Sequence, residues 1–237
     1  MKKFVALGIL VSFFLIGLNH LWAQDITNKV GVGARFMWLS PRTDSYLGDK
    51  GDLEGKSMFG GTLTYGINKW LSIELAFDYS LRTNLKRVIG REISGVEKWV
   101  KVAKVRVYPL TLSAQLRYLA PPEYYTWMVP YLTFGFGRYF VDCDVSKEYK
   151  DYYSPWRVKV DMKSAWGGHI GGGLDIFVSK NIAFNFEFRY FWADSDICET
   201  LKIDNTIPSP YPRKGEIDLD SWMVGVGIKF YFGLPHR

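Results

Sequence analysis

The stretch Trp222-Met223-Val224-Gly225-Val226-Gly227-Ile228-Lys229-Phe230-Tyr231-Phe232 decides the fold. Trp222, Val224, Val226, Ile228, Phe230 and Phe232 share one phase. Met223, Gly225, Gly227, Lys229 and Tyr231 share the other. Side chains on a strand alternate faces, so one face is broad and apolar and the other small or polar. A strand with lipid on one side and a narrow barrel interior on the other has this pattern.

The same alternation runs through the chain after Asp25. It is clear in Val30–Leu39, Phe59–Ile67, Leu71–Leu81, Tyr108–Tyr118, Tyr131–Val141, a sixth run over about Val158–Val178, and a seventh from Ile182 to Trp192. Upstream of Tyr108, Val100 and Val102 keep one phase while Val105 and Val107 take the other, which predicts a bulge or a strand projecting beyond lipid. Asn68-Lys69-Trp70 and Ser179-Lys180-Asn181 read as tight turns, whereas Ser40–Ser57, Arg82–Trp99 and Asp194–Glu216 read as long polar connections. Long loops at one end and short turns at the other are the asymmetry of an outer-membrane barrel. The expected fold is all-β, an eight-stranded antiparallel up-and-down transmembrane β-barrel. A soluble barrel of the same strand count would reverse the polarity, with large apolar side chains inside. Here the inward phase is mostly Gly, Thr, Ser and Ala.

Composition fits that reading. Of 237 residues 48% are hydrophobic and 17% aromatic, yet no segment after the first resembles the roughly 20-residue apolar run of a membrane helix. Residues 1–23 read as a signal peptide: Lys2 and Lys3 precede the apolar Phe4–Leu18, and Leu21-Trp22-Ala23 offers a small residue before the cut. Residues 24–237 are then the barrel domain. Losing Lys2 and Lys3 with no acid lowers the formal charge from +6 to +4, too little to argue for nucleic acid.

The inward phase carries a small set of charges in two balanced layers. Glu74, Arg117, Asp175 and Lys229 lie toward the tight-turn end, and Arg35, Asp78, Glu187 and Arg189 lie nearer mid-barrel. An unpaired buried charge is costly, so balance points to mutual pairing rather than to a charged pore. His169 is the only histidine of the strands, and the following Ile170-Gly171 gives it no adjacent nucleophile. The glycines at 167, 168 and 171–173 lack the Lys-Ser/Thr of a phosphate loop and suit close strand packing. No catalytic residue, cofactor or metal site is expected. Cys143 and Cys198 sit just past the outer ends of two non-adjacent strands, and read either as one disulfide between loops or as two free thiols. Lys98, Lys101, Lys104 and Arg106 could meet lipopolysaccharide phosphates at the outer rim, or belong to an ordinary solvated loop. Aromatic residues mark both ends of the outward phase, with Trp38, Tyr79, Phe140, Tyr190 and Trp192 outermost, and Tyr65, Trp70, Tyr118, Trp127 and Phe230 innermost.

The runs Tyr108–Tyr118 and Pro130–Gly137, the seventh strand and Asp220–Phe230 resemble the OmpW family, and similar patterns occur in OmpA transmembrane domains and OmpX-type barrels. The resemblance covers most of the mature chain and implies an integral outer-membrane protein. It further implies a narrow or lateral channel for small hydrophobic solutes; a structural or surface-adhesion barrel acting through its loops is the alternative. Implied partners are outer-membrane lipid, lipopolysaccharide and the barrel-assembly machinery, with a monomer expected. Such barrels usually end on an aromatic recognised during assembly. Here Phe232 is followed by five more residues, so Phe230 and Phe232 are the candidates for that signal.

Overall fold

The computed structural model describes residues 25–41, 45–46, 49–91, 97–119, 127–154, 157–203, 207–208 and 213–233. The expected signal segment lies outside them. The strands are β1 (Lys29–Pro41), β2 (Ser45–Tyr46), β3 (Asp49–Leu53), β4 (Lys56–Gly66), β5 (Leu71–Ser80), β6 (Thr83–Arg91) and β7 (Glu97–Arg117). After β8 (Met128–Val145) comes a short helix, α1 (Lys147–Tyr152). The remainder are β9 (Arg157–Met162), β10 (Ala165–Ser179), β11 (Ile182–Ile203), β12 (Ile207–Pro208), β13 (Arg213–Asp218) and β14 (Ser221–Gly233).

Eight of these close a ring, in the order β1-β4-β5-β7-β8-β10-β11-β14 and back to β1, every pairing antiparallel. The quoted stretch is β14, and it seals the ring against β1 from Lys29–Gly233 to Pro41–Ser221. Closure leaves no edge in lipid, where an unpaired backbone group could not be hydrated. The outward phase is exposed along the whole wall: Phe36, Leu63, Leu75, Leu112, Phe134, Ile170, Phe186 and Val226 all face out. No helix among the described residues is long and apolar enough to cross a membrane; the crossing is made by strands.

Local chemistry fixes the tight turns. Asn68 Oδ1 accepts from the Trp70 and Leu71 backbone N–H groups at 2.8 and 2.9 Å, so its side chain stands in for a backbone carbonyl in the β4–β5 turn. Ser179 Oγ accepts from Asn181 N at 3.3 Å in the β10–β11 turn.

At the opposite end the structure departs from the sequence reading. The connections read as polar loops hold β2, β3, β6, β12 and β13, which together with β9 carry the wall upward. The β6–β7 ladder, and the β9 and β13 ladders on β11, stack above the ring. Their inward residues include Leu53, Leu85, Val160, Ile197 and Ile217, all buried. These form one apolar core with Met37, Leu39, Val105, Val107 and Met223 from the ring strands. Polar outward neighbours disguised these strands as loops.

The phase change in β7 is a bulge. Leu85 pairs with Ala103 and Lys86 with Lys101, which leaves Val102 as the extra residue. Val100, Val102, Val105 and Val107 are therefore all buried. The sixth run is not one strand: it breaks at residues 163–164 into β9 and β10. β10 pairs with β8 as far as Ala165–Tyr139, whereas β9 pairs with β11 and, among the described residues, forms no ladder with β8. Ser146 caps α1 by accepting from Tyr149 N at 3.1 Å, and Tyr149 is buried against the outer core.

Candidate functional site

The interior has three tiers. At the tight-turn end Ile26, Val129, Phe177, Ala183 and Tyr231 form a small apolar floor. The middle tier is polar. The upper tier is the apolar core just described, and Tyr139 stacked on Phe191 (ring centroids 5.0 Å apart) belongs to it.

All eight charges expected inside lie in the middle tier and are buried. Alternation puts each of them inward, and the ring brings together residues far apart in sequence. Arg35 on β1 grips Asp78 on β5 with two parallel bonds, Nε to Oδ1 at 2.8 Å and Nη2 to Oδ2 at 2.5 Å. Its Nη1 also reaches Glu187 at 3.2 Å and Glu74 at 3.5 Å. Arg189 donates to Glu74 at 2.6 Å and pairs with Glu187 through Nε. Lys229 donates to the other Glu74 oxygen at 2.9 Å and lies 3.8 Å from Asp175, which Arg117 holds at 2.8 Å.

The two layers read from sequence are thus one network, joined at Glu74. Its four carboxylates and four cations cancel. Neutral groups extend it: Gln115 donates to Glu74 at 3.0 Å, and Asn185 bridges Asp175 and the Tyr131 hydroxyl at 2.9 and 2.8 Å. Sequence reading missed Tyr131 and Asn185 as members. Both sit on the inward phase, and each is the register partner of a charge, Tyr131 of Arg117 and Asn185 of Asp175.

His169 Nε2 lies 2.9 Å from Ser113 Oγ, an oxygen that also accepts from Arg189 at 3.4 Å. Among the described residues its Nδ1 has no hydrogen-bond partner, so none of their carboxylates orients the ring as in a catalytic triad. Glycines make this crowding feasible. A Cβ at Gly135 would stand 2.8 Å from both His169 Cε1 and the Ser113 Cα, and one at Gly171 would stand 2.8 Å from the Arg189 Cα. The glycine run is therefore packing, as its sequence indicated.

Cys143 and Cys198 are free. The expected disulfide is not made, because Cys143 falls on the inward phase of β8 and packs on the upper core, while Cys198 falls on the outward phase of β11. Burial, with Asp144, Asp142 and Asp161 nearby, pushes the Cys143 thiol up to about 12. Lys98 and Lys104 are exposed on β7, and Lys101 and Arg106 partly so. Phe230 and Phe232 face outward on β14. Trp38, Tyr79, Phe140, Trp192, Tyr65, Trp70, Tyr118 and Phe230 are exposed, as girdle residues should be.

Comparison with known proteins gives a consistent answer. The outer membrane protein OprG from Pseudomonas aeruginosa superposes with a TM-score of 0.67 at 16% identity, covering 90% of this chain and 100% of that one. The outer membrane protein AlkL, solved in DMPC lipid bilayers, superposes at 0.53 with 18% identity, covering 89% and 94%. These likenesses concern the fold. No curated protein matches the chain. The model for the outer membrane protein β-barrel domain matches residues 9–230, so this chain belongs to that family and is an integral protein of the outer membrane.

Proposed function

We propose that the protein admits small hydrophobic solutes through its outer apolar tier and releases them sideways at the outer boundary of the membrane. The observation that carries this reading is the contrast along the barrel axis. The middle tier is closed by a neutral charge network, and an axial path would require breaking buried ion pairs. Above it the interior is apolar, and the wall loses its ladder where β8 rises past Tyr139 beside β9. A solute without charge can enter such a tier, and an unpaired seam opens without breaking strand–strand hydrogen bonds.

Two measurements test this. In planar bilayers the refolded protein should show no large, stable ionic conductance. In liposomes it should speed uptake of a medium-chain aliphatic solute over protein-free vesicles. A reproducible open ion channel would remove the plug from the argument. Absence of any uptake would leave the second reading, an adhesion barrel, favoured by the polar outer surface of the strands that extend above the ring. That reading requires loss of cell or matrix binding when β2–β3 and β12–β13 are shortened.

Three further parts belong to this proposal. Residues 1–23 serve as a cleaved signal peptide. Phe230 and Phe232 form the assembly signal, so replacing both with Ser should stop membrane assembly while export continues. Lys98, Lys101, Lys104 and Arg106 meet lipopolysaccharide phosphates at the outer rim.

A further inference from the structure

Above the ring the wall is in two pieces. β2, β3, β6, β7 and β8 form one half-wall, each paired with the next. β9, β12 and β13 all pair with β11 and form the other. Among the described residues no ladder joins the two. β8 forms none with β9, and β2 lies beside β13 without pairing with it. The half-walls therefore meet through side chains. Leu53, Leu85 and Val105 of the first and Val160, Ile197 and Ile217 of the second are buried in one apolar core. Such contact is non-directional, and parting it breaks no strand–strand hydrogen bond.

A polar cluster crosses between the two pieces. Glu199 on β11 and Arg87 on β6 are both buried. Arg87 Nη1 donates to Glu199 Oε2 at 3.2 Å, and the Tyr149 hydroxyl donates to Glu199 Oε1 at 2.6 Å. Arg87 Nη2 donates to the Tyr153 hydroxyl at 3.2 Å, and the guanidinium lies 5.5 Å from the Tyr149 ring centre. α1 is anchored on the first half-wall, where Ser146 N donates to Val102 O at 2.9 Å and the Ser146 hydroxyl donates to Lys101 O. Both oxygens of one carboxylate on the second half-wall thus hold groups that belong to the first. β7, β8 and β9 separate β6 from β11 in the wall, so the ion pair reaches across the interior rather than along it.

Packed apolar side chains would hold the half-walls at least as firmly as a buried ion pair. The ion pair differs in being releasable, because charged groups that part beside water are rehydrated whereas apolar faces are not. We propose that the half-walls are two jaws standing on the closed ring, clasped at Glu199, and that their parting admits solute to the apolar tier. An apolar solute seated between the jaws keeps both inner faces dry, so it takes the place of the opposite face. This rests on the solute reading above and adds where entry is controlled and by which residues.

The test uses the full chain in nanodiscs and liposomes, with Cys143→Ala and Cys198→Ala removing both native thiols of the mature chain. Spin labels at Lys104→Cys on β7 and Lys214→Cys on β13, both exposed positions, report the gap between the jaws by pulsed EPR. Glu199→Gln should lengthen that distance and speed uptake of a medium-chain aliphatic solute about tenfold, the size of one lost charge-assisted hydrogen bond. Tyr149→Phe spares the ion pair and should do less. Arg87→Cys/Glu199→Cys joined by a cleavable bis-maleimide should stop uptake until the linker is cut. Heat-modifiable mobility checks that the ring has folded in each variant. An unchanged distance in Glu199→Gln overturns the clasp, whatever the uptake. A longer distance with uptake indifferent to both release and crosslinking overturns control of entry. If the distance lengthens but neither wild type nor Glu199→Gln exceeds protein-free vesicles, the solute reading falls and takes the entry role with it, while the clasp stands.

Discussion

The membrane tier and the outer tier are built on the same strands with opposite polarity. On β11 the lower half points Phe184, Phe186 and Phe188 outward and buries Asn185, Glu187 and Arg189. The upper half of that strand buries Phe191, Ala193 and Ile197 and turns Asp194 and Asp196 outward. On β7 the exchange is the same: Leu110 and Leu112 face out below, while Val100, Val102, Val105 and Val107 are buried above. The strand keeps its alternation and the solvent changes. Apolar side chains face whatever excludes water, which is lipid below and a core above. The soluble-barrel polarity weighed against a membrane barrel from sequence is thus realised in this molecule, one storey higher.

The contrast predicts different tolerances. Its strongest test is Glu74→Gln, which leaves four buried cations against three carboxylates. Breaking a buried ion pair by removing one partner costs about 3–5 kcal/mol, measured as a lower denaturant midpoint in lipid. Adding Lys229→Met restores neutrality and should recover much of the loss; a double variant no better than the single would mean the network is not held by its charge balance.

Next, the same cation should read differently in the two storeys. Phe186→Lys on the lipid face should cost about 2–4 kcal/mol, whereas Asp196→Lys on the outer storey should stay within about 0.5 kcal/mol. Similar losses at both sites would deny that the two faces meet different solvents.

A smaller effect concerns the helix over the outer tier. Tyr149 donates to Glu199 at 2.6 Å, and Arg87 reaches Glu199 at 3.2 Å and the Tyr153 hydroxyl at 3.2 Å. Together they tie α1 to β6 and β11. Glu199→Gln should loosen α1 by about 1–3 kcal/mol and raise amide exchange there while ring strands stay protected. Uniform loss of protection would show that the tiers unfold as one.

The smallest effect is kinetic. Thiolates are the reactive form, so Cys143, pushed up to about 12, should alkylate slowly at neutral pH. Below that value its rate should rise about tenfold per pH unit. Mass mapping of maleimide adducts should find Cys198 labelled first.

Much of the ring was legible because lipid imposes a strict period. The closing strand and the inward placement of all eight charges follow from phase alone; the phase change upstream of Tyr108 read as a bulge or a projecting strand, and the β6–β7 register places the bulge at Val102. Which charge pairs with which was not legible, since Glu74 meets Lys229 and Arg189 only after closure sets the stagger of distant strands. The upper storey was hidden for another reason. Its short strands alternate weakly and carry charges outward, so polarity averaged over Asp194–Glu216 resembled a loop. The cysteines failed as a pair because proximity at one end of the barrel does not specify a face.

The joining of both charge layers at Glu74 has a consequence for how such a barrel can vary. No one of its eight charged positions can change sign or lose charge without stranding a partner in a dry interior. Substitutions there should be accepted in compensating pairs, often between strands far apart in sequence such as β5 and β14. The lipid-facing positions carry no such debt and are free to drift one at a time among large apolar residues. The barrel thus has a slowly changing lock inside a quickly changing coat.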